Sequence, residues 1–213
     1  PGRWARAGRP YGTALIKWCA LGVAMGLLGG AVGSAFHHCV DEATALRTAH
    51  PWLLAGLPLA GLAIVGLYAL AGYRESHPGT NLVLECGRSG EPEPLRLAPL
   101  IFLSTALTHL CGGSSGREGA ALQLGGSMGS ALGRALHLNR EDEKTMILTG
   151  MSAVFSALFG TPLAAAVFCI EVADVGLLAE ASLLPCLVSA LTAFWTAGRL
   201  AVVPTRFAVT APT

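Results

Sequence analysis

Charge is the first thing this sequence lacks. Of its 213 residues only 13% are Asp, Glu, Lys or Arg, whereas an ordinary soluble domain holds about 25%. That scarcity excludes a water-soluble helical bundle, whose helices would each need a polar face. With 14 Lys and Arg set against 13 Asp and Glu, the net charge of +1 argues neither for nucleic acid nor for an acidic partner. The six cysteines form no C-x-x-C pair and most lie in apolar stretches, so they are expected as small buried hydrophobes rather than as disulfides or metal ligands. Also missing are a Ser/His/Asp ordering, metal-ligand spacing of the scattered histidines, and the lysine and strand-turn-helix context of a phosphate loop. No enzyme activity, metal or cofactor is expected.

What the sequence has instead is apolar length: 53% of it is hydrophobic and its mean hydropathy is +0.57. Charge-free windows run between Lys17 and Asp41, between Arg47 and Arg74, and between Lys144 and Glu171. Each is long enough to cross a hydrocarbon core, which takes about 20 residues of helix. The fold expected is therefore all-α and integral to the membrane, a bundle of tilted, broken and re-entrant helices. A cytoplasmic N-terminal arm (1–12), basic at Arg3, Arg6 and Arg9, precedes a transmembrane domain (13–203) and a truncated tail (204–213). The start without methionine fits a fragment, and the first segment lacks the cleavage site of a signal peptide.

Within this domain the spans are expected at Thr13 to Val40, Pro51 to Gly72, Leu97 to Cys111 and Glu180 to Val203, with a loop at Asp41 to His50. His37 and His38 are expected at the membrane interface, and Pro58 predicts a kink. Gly22, Gly26 and Gly30, with Gly29 and Gly33 beside them, form small-residue stripes that let helices approach closely. Two breaks stand out. One is Gly112 to Gly116, before a helix from Glu118 to Leu138; the other is Gly160 to Pro162, between Thr145–Phe159 and a short helix to Asp174. Broken backbone at membrane depth must be buried in protein or line a cavity, and paired broken helices point to a substrate site.

The stretch CGGSSGREGAALQLGG, from Cys111 to Gly126, places Arg117 and Glu118 among glycines. A carboxylate there is costly and marks an ion or proton pathway by default. Backbone N–H groups from Gly116 through Arg117 and Gly119 to Ala120 are candidates to line an anion pathway at a helix N-terminus. Arg117 either concentrates anions or forms a structural pair. Thr80 and Asn81, in HPGTN, either contact the ion or cap a short helix. Glu171 carries protons or caps a helix end.

GGSSGREG at 112–119, the following GSMGSALGR, and FGTPLAAAVFCIEV from Phe159 to Val172 resemble the N-terminal half of CLC-family anion channels and transporters, the voltage-gated chloride channel superfamily. The likeness covers Leu15 to Arg199. It implies the first half of an inverted-repeat fold whose helix N-termini converge on dehydrated anions, with Glu118 as a proton-linked gate. It also implies a multi-pass protein of the plasma membrane and a homodimer. The apolar faces that would suit a dimer, after Pro162 and from Ala181 to Ala197, have lipid contact as their other explanation.

Three departures from the chloride pattern matter. Ala120 stands where those relatives have proline, Thr80 and Asn81 where a chloride-coordinating serine is expected, and Val172 where many exchangers have a proton-relay glutamate. The fluoride-exporting branch is similar in lacking the serine and the proline. Fluoride conduction or fluoride/proton antiport is accordingly the first reading and a chloride channel or exchanger the second. A third, of another class, is a non-transporting half-length membrane subunit.

Overall fold

The computed structural model describes residues 2–73, 79–173 and 180–203, and everything described is helix or connection. Helix α1 spans Gly2–Ala49, so the residues expected as a basic arm are continuous with the first span. At 1.5 Å per residue its 48 residues reach about 72 Å, well beyond a hydrocarbon core of about 30 Å. The loop expected at Asp41 to His50 is helix instead as far as Ala49. No glycine or proline interrupts that segment, Asp41 pairs with His37 one turn earlier, and Thr44 and Thr48 donate back to the carbonyls of Val40 and Thr44. The stop comes at His50, which leaves helical backbone at φ −128° and ψ 77° because Pro51 crowds the residue before it.

A short 3-10 turn, Pro51–Gly56, leads into α2, Leu57–Leu70. Pro58 thus sits in the first turn of α2, where a missing N–H costs nothing, and the expected mid-span kink becomes this change of helix type. The connection from 74 to 78 lies outside the described residues. Helices α3 (Thr80–Ser89), α4 (Leu97–Leu110) and α5 (Arg117–Ala135) follow. At 14 residues, or about 21 Å, α4 is as short as its sequence predicts.

Helix α6, Arg140–Phe159, starts earlier than the expected Thr145. Asn139 caps it by accepting from the Asp142 N–H at 2.9 Å, and Glu141, Asp142 and Glu143 favour the positive end of the helix dipole. Gly160 closes it at φ +67°. The break then starts α7, Pro162–Ala173. Residues 174–179 and 204–213, the latter the expected tail, lie outside the described residues, and α8 runs Glu180–Arg199.

Helix α6 is the centre of the bundle, packed against α1, α5, α7 and α8 and buried at nearly every position from Thr145 to Leu158. Glycine makes that possible. A Cβ at Gly125 of α5 would stand 2.2 Å from the Gly150 carbonyl oxygen, and one at Gly129 2.2 Å from that of Met146, so the two backbones touch. The stripes of α1 divide as their spacing predicts: Gly22, Gly26 and Gly30 meet α8, while Gly29 and Gly33 meet Ala153 and Ala157 of α6. Hydroxyls tie the same helices together, Ser156 donating to the Ala190 carbonyl at 2.7 Å and Ser189 to that of Thr149 at 2.9 Å. The outside is apolar, with Leu59, Leu62 and Val65 of α2 about 70% exposed. Among the described residues three helices, Gly12–Ala49, Pro51–Leu70 and Ala181–Arg199, are long and apolar enough to cross a membrane.

Candidate functional site: the start of helix α5

The glycine-rich break positions the site. Gly112, at φ +82°, turns the chain back after α4 in a region that side-chain-bearing residues rarely enter. Gly116 then caps α5 in extended backbone, φ −64° and ψ 135°, with no side chain bonded into the first turn. A helix starting this way leaves its first four N–H groups, those of residues 116 to 119, without intrahelical acceptors. The Ala120 N–H is the first to find one, the Gly116 carbonyl, and the Ala120 methyl is buried in a core with Phe36, Val40 and Leu124. Ala120 therefore faces the core, and the open donors end at Gly119.

Glu118 is exposed at this terminus. Its carboxylate folds back over the cap, and a Cβ on Gly116 would lie 2.9 Å from Oε2. Charge of this sign suits the helix end, which carries about half a positive charge. From the other side Thr80, in the first turn of α3, brings Oγ1 to within 2.6 Å of where a Gly119 Cβ would be. Gln123, one turn further along α5 and 9% exposed, donates from Nε2 to the same Thr80 oxygen at 3.5 Å. Gly116, Glu118, Gly119 and Thr80 thus come together. Asn81 does not join them: it is exposed and lines a separate groove of about 460 Å³ with Leu84, Glu85, Arg88 and Ser89. Neither Thr80 nor Asn81 caps α3, whose cap is Gly79 with no side-chain bond.

Arg117 points away from the open donors. Its Nη2 donates to Asp41 Oδ1 at 3.0 Å, and the other Asp41 oxygen meets His37 Nε2 at 3.0 Å. Of the two readings of Arg117 the geometry is that of the structural pair, joining α5 to α1. His37 is correspondingly buried, 7% exposed, while the exposed His38 meets the Leu200 carbonyl at 2.9 Å. Asp41, His37 and Gln123 are not among the residues that the sequence marks as a site. Gln123 had a signal, being the polar residue one helical turn after Gly119 in an otherwise apolar run; Asp41 and His37 had none beyond their i, i+4 spacing. At the second break Phe155 stacks near Phe159 and Phe168, with ring centroids 4.5 and 4.9 Å away. Among the described residues no three His, Cys, Asp or Glu side chains gather as a metal site.

A bundle of long and broken apolar helices, with a glycine-capped helix start that carries a carboxylate, defines a multi-pass membrane protein. Residues 61–212 match the family model described as voltage gated chloride channel. The chain belongs to that family, whose members are transporters and not enzymes. It is 37% identical over 203 residues to a chloride/fluoride channel protein of Pseudomonas syringae pv. tomato, a match covering 94% of this chain and 44% of the relative. It is 33% identical over 160 residues to the H(+)/Cl(-) exchange transporter ClcA of Cronobacter sakazakii, covering 68% of this chain and 34% of the relative. Among solved structures a CLC-type fluoride/proton antiporter superposes with a TM-score of 0.82 at 36% identity, covering 92% of this chain and 51% of that one. A slow cyanobacterial Cl-/H+ antiporter shares the fold, with a TM-score of 0.69 at 20% identity. The chain spans about half or less of the length of these relatives.

Proposed function

We propose that the chain carries one half of an anion pathway in a CLC-type transporter of the plasma membrane, moving fluoride in exchange for protons with Glu118 as the gate. The observation that carries this reading is the start of α5. By the general geometry of a helix start, the N–H groups of residues 116 to 119 have no intrahelical acceptors, and beside this terminus lie the Glu118 carboxylate, folded back over Gly116, and the hydroxyl of Thr80. An ionised Glu118 competes with an entering anion for the same donors; once protonated it loses that attraction and gives way. Anion entry and proton uptake are thereby linked at one residue. Fluoride, small and strongly hydrogen-bonding, suits bare N–H groups and a hydroxyl, and the similarity to a fluoride/proton antiporter and to a chloride/fluoride channel supports it. Asn81 belongs to this proposal only as an approach residue on the neighbouring groove. The arginines near the N-terminus support a cytoplasmic location for that end, and a homodimer would bury the exposed apolar faces of α7 and α8, including Leu163, Phe194 and Trp195.

Chloride is the second reading, favoured by the likeness to the ClcA exchanger. Liposomes carrying the full-length gene product, loaded with either anion and read with ion-selective electrodes, separate the two. Fluoride efflux well above chloride efflux is expected, and equal or greater chloride efflux defeats the fluoride assignment. Glu118→Ala is expected to remove proton coupling and alter the flux; unchanged flux and coupling would remove the gate, and a wild-type protein that moves neither anion would favour a non-transporting subunit.

A further inference from the structure

The face of α5 that meets α3 carries a polar series. Gly119, Gln123, Ser127, Ser130 and Arg134 recur at three or four residues and so share one side of the helix. At its start stands Glu118; at its far end stands Glu93, from the connection between α3 and α4. Glu91, Pro92 and Leu95 of that connection are exposed, yet Glu93 turns inward and is 0% exposed. Prolines on both sides restrict its backbone. Its N–H donates to Ser130 Oγ at 2.9 Å and its carbonyl accepts from Arg134 Nη2 at 3.2 Å.

These bonds hold the main chain and leave the acid itself unsatisfied. Among the described residues neither carboxyl oxygen has a hydrogen-bond partner, nor does Ser127 Oγ beside them. Ser127 is near enough to favour the ionised form slightly, but burial outweighs it and pushes the carboxyl up to about 8. Among the described residues, the groups facing it supply no compensating cation. Arg134 of α5 is engaged at the carbonyl, Cys86 of α3 is a thiol, and Glu143 of α6 is held at 3.4 Å from Ser130. Glu91 pairs with Arg140 at the surface. An acid buried in this way is neutral at rest and able to give up and retake its proton near neutral pH. The carboxyl lies against backbone at Gly126, where a Cβ would stand 2.2 Å from Val83 Cγ2 and 2.7 Å from Glu93 Oε2. Gly126 is eight residues from Glu118 along α5, about 12 Å at 1.5 Å per residue, and Ser127, Gln123 and Thr80 stand along the way.

We propose that Glu93 is the proton donor and acceptor that serves Glu118 from the aqueous side of the α3–α4 connection, along the polar face of α5. This rests on the proton-coupled reading of the gate. In the step, the Glu93 O–H bond breaks, an O–H bond forms on the Glu118 carboxylate, and Glu93 is reprotonated from the water that bathes Glu91. The reverse sequence returns the proton. Intervening water needs polar partners, which Ser127, Gln123 and Thr80 supply.

Liposomes holding the full-length gene product, with fluoride followed by electrode and protons by an internal pH dye, test it. Glu93→Gln, nearly isosteric and permanently neutral, is expected to lower the proton-to-fluoride ratio by about tenfold or more and to erase the pH dependence of the proton flux. Glu93→Asp is expected to restore the flux with a displaced pH profile. Ser127→Ala, which loses no protein hydrogen bond, is expected to slow protons more than fluoride and serves if the glutamine variant does not fold. A wild-type ratio and pH profile in Glu93→Gln, or in Ser127→Ala where that variant stands in, overturns the inference. Wild-type fluoride flux with no accompanying protons instead overturns the antiport reading on which it rests.

Discussion

Two neighbouring faces of α5 use glycine to opposite ends. Towards α6, Gly125 and Gly129 bring backbone onto backbone and leave no room for anything else. Towards α3, Gly119 and Gly126 clear space that other residues' side chains then occupy, the hydroxyl of Thr80 at the first and a Val83 methyl together with the carboxyl of Glu93 at the second. The first face is closed by contact of backbone with backbone. The second holds unpartnered oxygens on Glu93 and Ser127, which cost stability and are found where chemistry needs them. One helix is thus anchored along one side and polar along the next, so the gate proposed at its start would be held by a part of the molecule that does not need to move.

The sharpest way to break this contrast is to place a side chain in the closed face. Gly125→Val would drive methyls into the Gly150 carbonyl, backbone that cannot rotate aside, and is expected to prevent a monodisperse protein; Gly125→Ala should lower stability by about 1–3 kcal/mol. Thermal unfolding in detergent reads both, and a Gly125→Val protein as stable as wild type would mean that α5 and α6 are not in backbone contact. The polar face predicts a pH effect instead. Burial lifts the Glu93 carboxyl, which lies outside the spanning helices, from 4.5 to about 8. Between those values the folded protein holds this proton and the unfolded chain does not. Its contribution to stability is therefore full below about pH 4.5, declines as pH rises towards 8, and is gone above. Melting curves across that window should fall with pH in the wild type and fall less in Glu93→Gln; equal slopes would place a partner on the carboxyl.

Much of the closed face is legible in the sequence, because glycines every four residues have one dominant meaning in an apolar helix. The stripes at Gly22–Gly30 and Gly125–Gly133 say that a helix approaches, and the break before Glu118 says where a terminus opens. Helix ends are harder. Asp41 to Ala49 is polar enough to pass for a loop, and only the contacts with His37 and Arg117 show why it remains helical. Glu93 is the instructive omission: EPEP has the composition of an exposed turn, and nothing local says that one of its two acids points inward. Burial of a single side chain on a connection depends on which helix packs beneath it, and a linear pattern does not encode that.

The smallest expected effect concerns the Arg117–Asp41 brace beside Glu118. Arg117 is held by Asp41, which is in turn held by His37, each at 3.0 Å. The pair is only partly shielded, with Asp41 49% and Arg117 30% exposed, so solvent and salt screening limit its worth to about 1 kcal/mol or less. Asp41→Asn should therefore leave the melting temperature almost unchanged. It also frees the Arg117 guanidinium, one residue from Glu118, to turn towards the open N–H groups and draw anions there. Fluoride affinity is expected to rise by a few-fold at low ionic strength, with the gain disappearing in high salt. Flux measured against fluoride concentration at two salt levels decides it. An equal affinity in both proteins would show Arg117 staying in place without Asp41, held by α5 alone.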